Sequence, residues 1–142
     1  MKNLNITERR NENAVILDLE GNIRLGEGST EFRQHIRQLV QNGEKNILLN
    51  LERVSYIDSS GLGEIVAAFT SLQKIDGEMK LLHLTRRVNE LMMITKLLTV
   101  FEVYDNEPEA LKSFKPESGN AEISQSSVVT GKLSSTFINL QK

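Results

Sequence analysis

Hydrophobic and polar residues alternate near the amino terminus, and further along the chain the apolar positions fall into short continuous runs. Residues 3–9 and 14–20 show the near period-two alternation of β-strands. Residues 46–51 and 79–84 are almost wholly apolar, which is typical of strands that are covered on both faces. A last short strand is predicted at 101–104. The pattern therefore indicates a β-sheet built from both exposed and buried strands.

Between these strands, apolar residues recur at the spacing of α-helices. Ser29 or Thr30 is predicted to cap a helix that runs to about Asn42, where Gly43 stops it. The same spacing predicts three further helices, namely 64–74, one capped by Thr85, and one from Pro108 to about Phe114. Helices that link buried strands imply right-handed crossovers and parallel pairing.

The order of these elements predicts an α/β fold with a mixed, mostly parallel β-sheet and about four helices. We expect one domain over residues 1–114. Residues 115–142 are rich in Ser, Thr, Asn and Gln, and they are predicted to form a flexible carboxy-terminal tail. Two apolar patches in this tail, Val128-Val129 and Phe137-Ile138, leave open a weak strand that docks on a partner.

Composition narrows the classes of function. The formal net charge of -2 gives no general attraction to nucleic acid or to an anionic membrane. Cysteine is absent, which excludes disulfides, thiolate catalysis and cysteine-based metal sites. No apolar run is long enough for a membrane span or a signal peptide, so we expect a cytoplasmic protein without membrane insertion. We also expect no metal and no cofactor, because no His, Asp and Glu cluster has ligand spacing.

Residues 56–63, Tyr-Ile-Asp-Ser-Ser-Gly-Leu-Gly, carry the strongest functional signal. Ser59 and Ser60 are placed where a strand-derived loop enters a helix, and a helix start favours negative charge. The two serines and Asp58 could cap the helix for stability alone, or they could form a phosphoacceptor or contact site. Gly61 and Gly63 weaken a first helical turn, which makes sense where another backbone or a partner comes close, or where the helix packs tightly on the sheet.

Catalytic alternatives find little support in the residues around this motif. Only half of the Gly-x-Ser-x-Gly pattern of serine hydrolases is present, and the base would have to be His35 or His83, the latter within a buried-type strand. No Gly-Lys-Ser/Thr follows the glycines, which argues against a phosphate-binding loop. Arg86-Arg87 lies at a helix start and could mark an anion site, although a solvated face is the simpler interpretation.

Residues 50–63, with their Asp-Ser-Ser-Gly-Leu-Gly core, resemble the signature of STAS-domain anti-sigma factor antagonists. The order of elements over roughly residues 3–114 also resembles this family, whereas the tail from Lys115 is not covered. The resemblance implies a single STAS-like domain that regulates transcription by partner switching and is not an enzyme.

Members of this family bind an anti-sigma factor Ser/Thr kinase while they are unphosphorylated and thereby free a sigma factor. The resemblance implies that the kinase phosphorylates Ser59 and that a phosphatase reverses this step. It also implies a set of partner-binding residues around Ser59, namely Asp58, Ser60, Gly61, Leu62 and Gly63. The alternative is a scaffold or ligand-binding STAS module of a stress-signalling assembly or a lipid-transport complex.

Overall fold

The structure, a computed structural model, describes residues 4–115, which form a five-stranded mixed sheet with helices on both faces. The strands are β1 (Leu4–Arg10), β2 (Val15–Ile23), β3 (Asn46–Ile57), β4 (Glu78–Leu82) and β5 (Val103–Tyr104). The helices are α1 (Glu27–Gln41), α2 (Ser59–Gln73), α3 (Arg86–Ile94) and α4 (Glu107–Lys112), and a short 3₁₀ helix spans Leu97–Thr99.

The strand order in the sheet is the same as the order in the chain. β1 and β2 form an antiparallel hairpin, and β2 to β5 are parallel. Each parallel pair is joined through a helix, as right-handed crossovers require. The predicted fold class, an α/β domain with a mixed and mostly parallel sheet and about four helices, is confirmed.

Two hydrophobic clusters cover the two faces of the sheet. The larger cluster joins the strands to the buried faces of α1, α2 and α3, with Phe32 and Ile65 fully buried. The smaller cluster lies on the other face, where α4 contributes Ala110 and the chain after it contributes Phe114. Because the middle strands are covered on both faces, their sequences are nearly continuous apolar runs.

The predicted start of the first helix is wrong. α1 begins at Glu27 after Gly26, whose φ of 98° is a left-handed conformation, and Ser29 lies inside the helix together with Thr30. The early start places the first turn of α1 against the end of β2. A Cβ on Gly28 would lie 2.7 Å from the Asn22 carbonyl oxygen, so this position allows only glycine.

Other boundaries differ because pairing between strands overrides local sequence. β3 continues past Leu51 to Ile57, since it pairs with β2 over its whole length. Conversely, β5 has only two residues. The prediction of His83 within a buried strand is also wrong, because β4 ends at Leu82 and His83 has a φ of 57°. The predicted cap Thr85 is confirmed, since its hydroxyl accepts the Val88 N–H.

β1 forms one edge of the sheet, and charged residues occupy its last three positions, Glu8, Arg9 and Arg10. The predicted flexible tail, residues 116–142, lies outside the described residues. Within residues 4–115 no helix is both long and apolar enough to cross a membrane.

Candidate functional site

The carboxyl ends of β2 and β3 meet the amino terminus of α2, and Asp58 joins these three elements. One oxygen of its carboxylate accepts the Gly61 N–H at 2.8 Å, which caps α2. The other oxygen accepts the Leu25 N–H at 2.9 Å, just beyond β2. The Asp58 N–H in turn donates to the Ile23 carbonyl at 3.3 Å. Asp58 therefore fixes the helix start to the neighbouring loop.

Hydrogen bonds from the backbone keep Asp58 charged. The Leu25 N–H and then the Gly61 N–H lower the pKa of the Asp58 carboxyl, and the positive charge of Arg24 acts in the same direction. Helix capping is thus a confirmed role of this aspartate. Each of its two carboxylate oxygens accepts a backbone N–H, one from Leu25 and one from Gly61.

Ser59 is the first residue of α2 and is exposed, whereas Ser60 is half-buried. Within residues 4–115 the Ser59 hydroxyl makes no hydrogen bond. It stands at a helix end where free N–H groups and the helix dipole favour negative charge. Ser59 is therefore an exposed serine at a position where negative charge is favoured.

The two glycines of the motif have different reasons to be glycine. A Cβ on Gly61 would lie 2.0 Å from the Ile23 carbonyl oxygen, so only glycine allows α2 to approach β2 this closely. A Cβ on Gly63 would have no atom within 4 Å. Gly61 thus serves packing inside the domain, whereas Gly63 leaves open space on the surface next to Ser59.

The predicted site residues are contiguous in space as well as in sequence, but they do not all reach the surface. Ser59 and Gly63 are exposed, and Asp58 and Ser60 are half-buried. Leu62 belongs to the larger hydrophobic cluster. The side chain of Leu62 therefore supports the position of the helix, and its role in binding a partner stays a prediction.

A cation–aromatic cluster beside this motif was missed by the sequence analysis. The Tyr56 ring, which is 39% exposed, has the Arg24 guanidinium 5.3 Å and the Arg87 guanidinium 5.7 Å from its centroid. The sequence offered only the Arg86-Arg87 pair as a signal. The structure separates these two arginines, because Arg86 forms a 3.5 Å ion pair with Glu90 on its own helix.

Exposed apolar side chains flank the same end of the sheet. Leu25, next to Asp58, is 77% exposed, and Ile94 at the end of α3 is 79% exposed. A shallow groove of about 210 Å³ runs past Tyr56 and Arg87 to Ile94. Apolar groups around a polar centre are typical of a surface that binds another protein.

The two histidines are engaged away from Ser59. His35 contacts the Glu8 carboxylate at 2.7 Å, between α1 and β1, and the backbone of His83 pairs with Tyr104 beside β5. Over residues 4–115 neither histidine hydrogen-bonds Ser59, and no group of three His, Cys, Asp or Glu side chains could hold a metal ion.

Comparison with known proteins identifies the family to which this geometry belongs. The model of the STAS domain family matches residues 5–110, and the chain belongs to that family. The predicted family is thereby confirmed.

The relatives within this family are regulatory proteins. The chain is 31% identical over 101 residues to the anti-sigma-B factor antagonist of Bacillus subtilis, a match that covers 71% of this chain and 91% of that protein. It is 36% identical over 73 residues to the anti-sigma-B factor antagonist of Staphylococcus aureus, covering 51% and 68% of the two chains.

The fold is also similar to that of SpoIIAA, an anti-sigma factor antagonist of Bacillus that has been solved in two states. The unphosphorylated form matches with a TM-score of 0.60 and 21% identity, over 76% of this chain and 96% of that one. The phosphorylated form matches with a TM-score of 0.62 and 22% identity, over 76% and 97%. At this identity the likeness concerns the fold alone.

Proposed function

We propose that this protein is an anti-sigma factor antagonist whose binding state is set at Ser59. In this proposal it binds an anti-sigma factor Ser/Thr kinase while Ser59 is unphosphorylated, and it is released when the kinase phosphorylates that serine. The observation that carries the proposal is the exposed and unbonded Ser59 hydroxyl at the start of α2, beside the fixed carboxylate of Asp58. The anti-sigma-B factor antagonist relatives support it.

The chemical step is a phosphoryl transfer in which this chain is the substrate. The Ser59 oxygen attacks the γ-phosphorus of ATP, the bond to the β-phosphate breaks, and ADP leaves. The hydroxyl proton passes to a base on the kinase. A phosphatase returns the serine by transferring the phosphoryl group to water. The domain supplies position only, because Asp58 holds the helix start in place.

Electrostatics explain how one phosphoryl group switches partners. The group adds about -1.5 to -2 charge at neutral pH. At the exposed start of α2 this charge is solvated and meets the positive end of the helix dipole, so the fold tolerates it. Inside a protein interface the same charge loses its solvation, which costs several kcal/mol unless a group of the partner compensates for it. Since about 1.4 kcal/mol is a factor of ten in affinity, release follows.

The fold does not need to change for this switch. SpoIIAA, which has a similar fold, matches this chain to nearly the same extent in its unphosphorylated and phosphorylated forms. The surface offered to the partner includes the exposed Gly63 and the half-buried Ser60 around Ser59, with the backbone of Gly61 and Leu62 beneath them. The proposal places the protein in the cytoplasm, where sigma factors act.

Phosphorylation of the full chain by the cognate anti-sigma factor kinase tests the proposal. The chain is incubated with the kinase and ATP, and the product is mapped by mass spectrometry. We expect one phosphate on Ser59, none in the Ser59→Ala variant, and unchanged incorporation in the control Ser71→Ala, which removes an exposed serine near the other end of the same helix. Phosphate that persists in Ser59→Ala refutes the assignment of the acceptor.

Binding measured by calorimetry tests the switch itself. We expect the unmodified chain and Ser71→Ala to bind the kinase equally, and Ser59→Asp to bind at least about tenfold more weakly, since a carboxylate carries part of the phosphate charge. Equal affinity of the phosphorylated and unphosphorylated chains contradicts an electrostatic switch. Treatment of the phosphorylated chain with a serine phosphatase should restore the original affinity.

A further inference from the structure

Arg24 and Arg87 stand apart from the other arginines that this structure pairs with acids. Arg9, Arg10, Arg33 and Arg86 each form an ion pair with a carboxylate. Across residues 4–115 neither Arg24 nor Arg87 forms one. Each lies over the face of the Tyr56 ring, and the charge of Arg24 also acts on the Asp58 carboxylate from beyond ion-pair distance. A cation–aromatic contact at an exposed site is weak, so both guanidinium groups are available to a stronger anionic partner.

Strand register brings Arg24 to the start of α2. In the parallel pairing of β2 with β3, Asn22 is opposite Tyr56 and Ile23 is opposite Ile57. The next residues, Arg24 and Asp58, therefore follow side by side beyond the paired strands. The contacts agree, because the N–H of Leu25 donates to the Asp58 carboxylate and the carbonyl of Ile23 lies against Gly61.

Arg87 approaches the same ring from a different element. It lies in the first turn of α3 and is exposed, and its guanidinium contacts Tyr56, two residues before Asp58. Because side chains at i and i+2 of an extended segment point to one face, Tyr56 and Asp58 share a face. Two guanidinium groups therefore contact the Tyr56 ring, two residues before Asp58, which precedes Ser59.

We propose that Arg24 and Arg87 form a receptor for the phosphoryl group on Ser59. On phosphorylation the guanidinium groups leave the face of the Tyr56 ring and bind the phosphate oxygens, for which their planar fork of N–H donors is suited. This inference rests on the proposed phosphorylation of Ser59 and names the groups that receive its charge. Arg24 precedes Leu25, whose N–H donates to the Asp58 carboxylate, and its charge already acts on that carboxylate.

This receptor extends the effect of phosphorylation beyond the added charge. In the unmodified chain two exposed cations lie in one surface with Leu25 and Ile94, and they attract an acidic group of a partner. In the phosphorylated chain both cations are occupied by the chain's own phosphate. The partner therefore loses two attractive contacts and gains one repulsive group at the same time.

Titration of the phosphate by ³¹P NMR tests the receptor without any kinase. The full chain is made with phosphoserine incorporated at position 59 during translation. Phosphoserine has a second pKa of about 6, and a cation nearby lowers it. We expect the Arg24→Gln/Arg87→Gln variant to raise the pKa of this phosphate by at least about half a unit at low salt, and the difference to shrink in 1 M salt.

Arg86→Gln is the matched control, because Arg86 is the neighbour of Arg87 on α3 but pairs with Glu90. We expect no change in the phosphate pKa in this variant. The acidic residues nearby, Asp58 and Glu90, are retained in all variants. Glu90 loses its ion pair in Arg86→Gln, but it is exposed, so its charge is screened by salt. An unchanged pKa in the double variant, or an equal shift in Arg86→Gln, overturns the proposal.

A second measurement needs no substitution. The chain has two tyrosines, and Tyr56 should show ring-proton shifts between the Ser59 and phosphoserine forms, while Tyr104 serves as the internal reference. Unshifted Tyr56 resonances overturn the proposal even if a variant fails to fold. Neither measurement involves a partner, so failure of the chain to bind any anti-sigma factor kinase would contradict the proposed function and leave this result standing.

Discussion

The domain has two groups of cations that differ in their contacts. Lys80 and Arg9 form ion pairs with carboxylates, whereas Arg24 and Arg87 contact an aromatic ring. Lys80 is 3% exposed, and its amine lies 3.2 Å from Glu78 and 3.1 Å from Glu102. It also donates at 2.9 Å to the carbonyl and to the hydroxyl of Ser113, which follows α4.

Arg9 is held in a similar way at the edge of the sheet. Its guanidinium makes two hydrogen bonds to Asp18 on β2 and two to Glu107 at the start of α4. Lys80 and Arg9 therefore fasten α4 to the sheet with acids that the chain itself supplies. Arg24 and Arg87 contact an exposed ring instead. Lys80 and Arg9, which pair with acids of the same chain, hold the fold together. Arg24 and Arg87, which contact an aromatic ring, are available to an anionic group such as a phosphate.

Since Arg24 and Arg87 form no ion pair among residues 4–115, we expect close backbone packing, rather than charge, to fix the end of the sheet that carries Asp58 and Ser59. The largest effect is expected at Gly61, where a Cβ would lie 2.0 Å from the Ile23 carbonyl oxygen. Gly61→Ala should lower the free energy of unfolding in urea by about 3 kcal/mol, because backbone must move to admit the methyl group.

Gly63→Ala is the control for this substitution, since its Cβ meets no atom within 4 Å and its helix position favours alanine. It should leave the stability equal to that of the parent or raise it by about 0.5 kcal/mol. A Gly61→Ala variant as stable as Gly63→Ala would contradict the conclusion that close packing of α2 on β2 holds this end of the sheet in place.

A smaller loss is expected where Lys80 fastens α4. Lys80→Met keeps the volume but leaves Glu78 and Glu102 facing each other without a cation, and it leaves the Ser113 carbonyl unpaired. We expect the free energy of unfolding to fall by about 2 kcal/mol. Hydrogen exchange of the α4 amides should accelerate as well. Lys112→Met, an exposed lysine on α4, should change neither quantity.

The Arg9 network predicts a difference in acid stability. Hydrogen bonds from Arg9 lower the pKa of Asp18 and of Glu107 below their ordinary values of 3.8 and 4.5. Because the folded state binds these protons less readily than the unfolded chain, the stabilisation is complete above those values and is lost as the pH falls below them. Both pairs are partly solvated, so the effect is about 0.5–1 kcal/mol.

Urea unfolding at pH 7 and pH 3 measures this effect. The parent should lose about 0.5–1 kcal/mol more than Arg9→Gln over that interval, since the variant has no such pairs to lose. Equal pH dependence of the two proteins would mean that the network contributes nothing to stability.

The smallest change in stability is expected for substitutions of Arg24 and Arg87. Arg24→Gln and Arg87→Gln remove contacts with an exposed ring, and each should change the free energy of unfolding of the unphosphorylated chain by no more than about 0.5 kcal/mol. Thermal unfolding followed by circular dichroism measures this. A loss as large as that of Lys80→Met would show that these arginines, too, are structural.

The order of elements and the position of the central motif followed from sequence, because apolar periodicity and helix stop signals are local. Gly43 illustrates this, since it follows α1 with a φ of 89°, as its place in the sequence suggested. The start of α1 was missed for the opposite reason. Gly26 and Gly28 look like a loop, and only the contact between Gly28 and the Asn22 carbonyl makes them part of a helix start.

In the candidate site, too, residues that are neighbours in sequence were predicted, and residues brought together only by the fold were missed. The proposed acceptor Ser59 and the cap Asp58 lie next to each other in sequence, and a helix start has a recognisable pattern. The cluster of Arg24, Tyr56 and Arg87 spans three elements that are far apart in the chain. It depends on the register of β2 against β3 and on the placement of α3, and no local pattern encodes either of these.

The charged outer strand β1 affects the behaviour of the protein at high concentration. An open sheet edge can add a strand from a second molecule and start a growing aggregate. Here Glu8 contacts His35, and Arg10 pairs with Glu44. A second copy that added along this half of β1 would have to strip water from these pairs or break them. This part of the edge therefore disfavours the addition of a strand from a second copy, which keeps the end of the sheet that carries Ser59 free for the partner exchange proposed above.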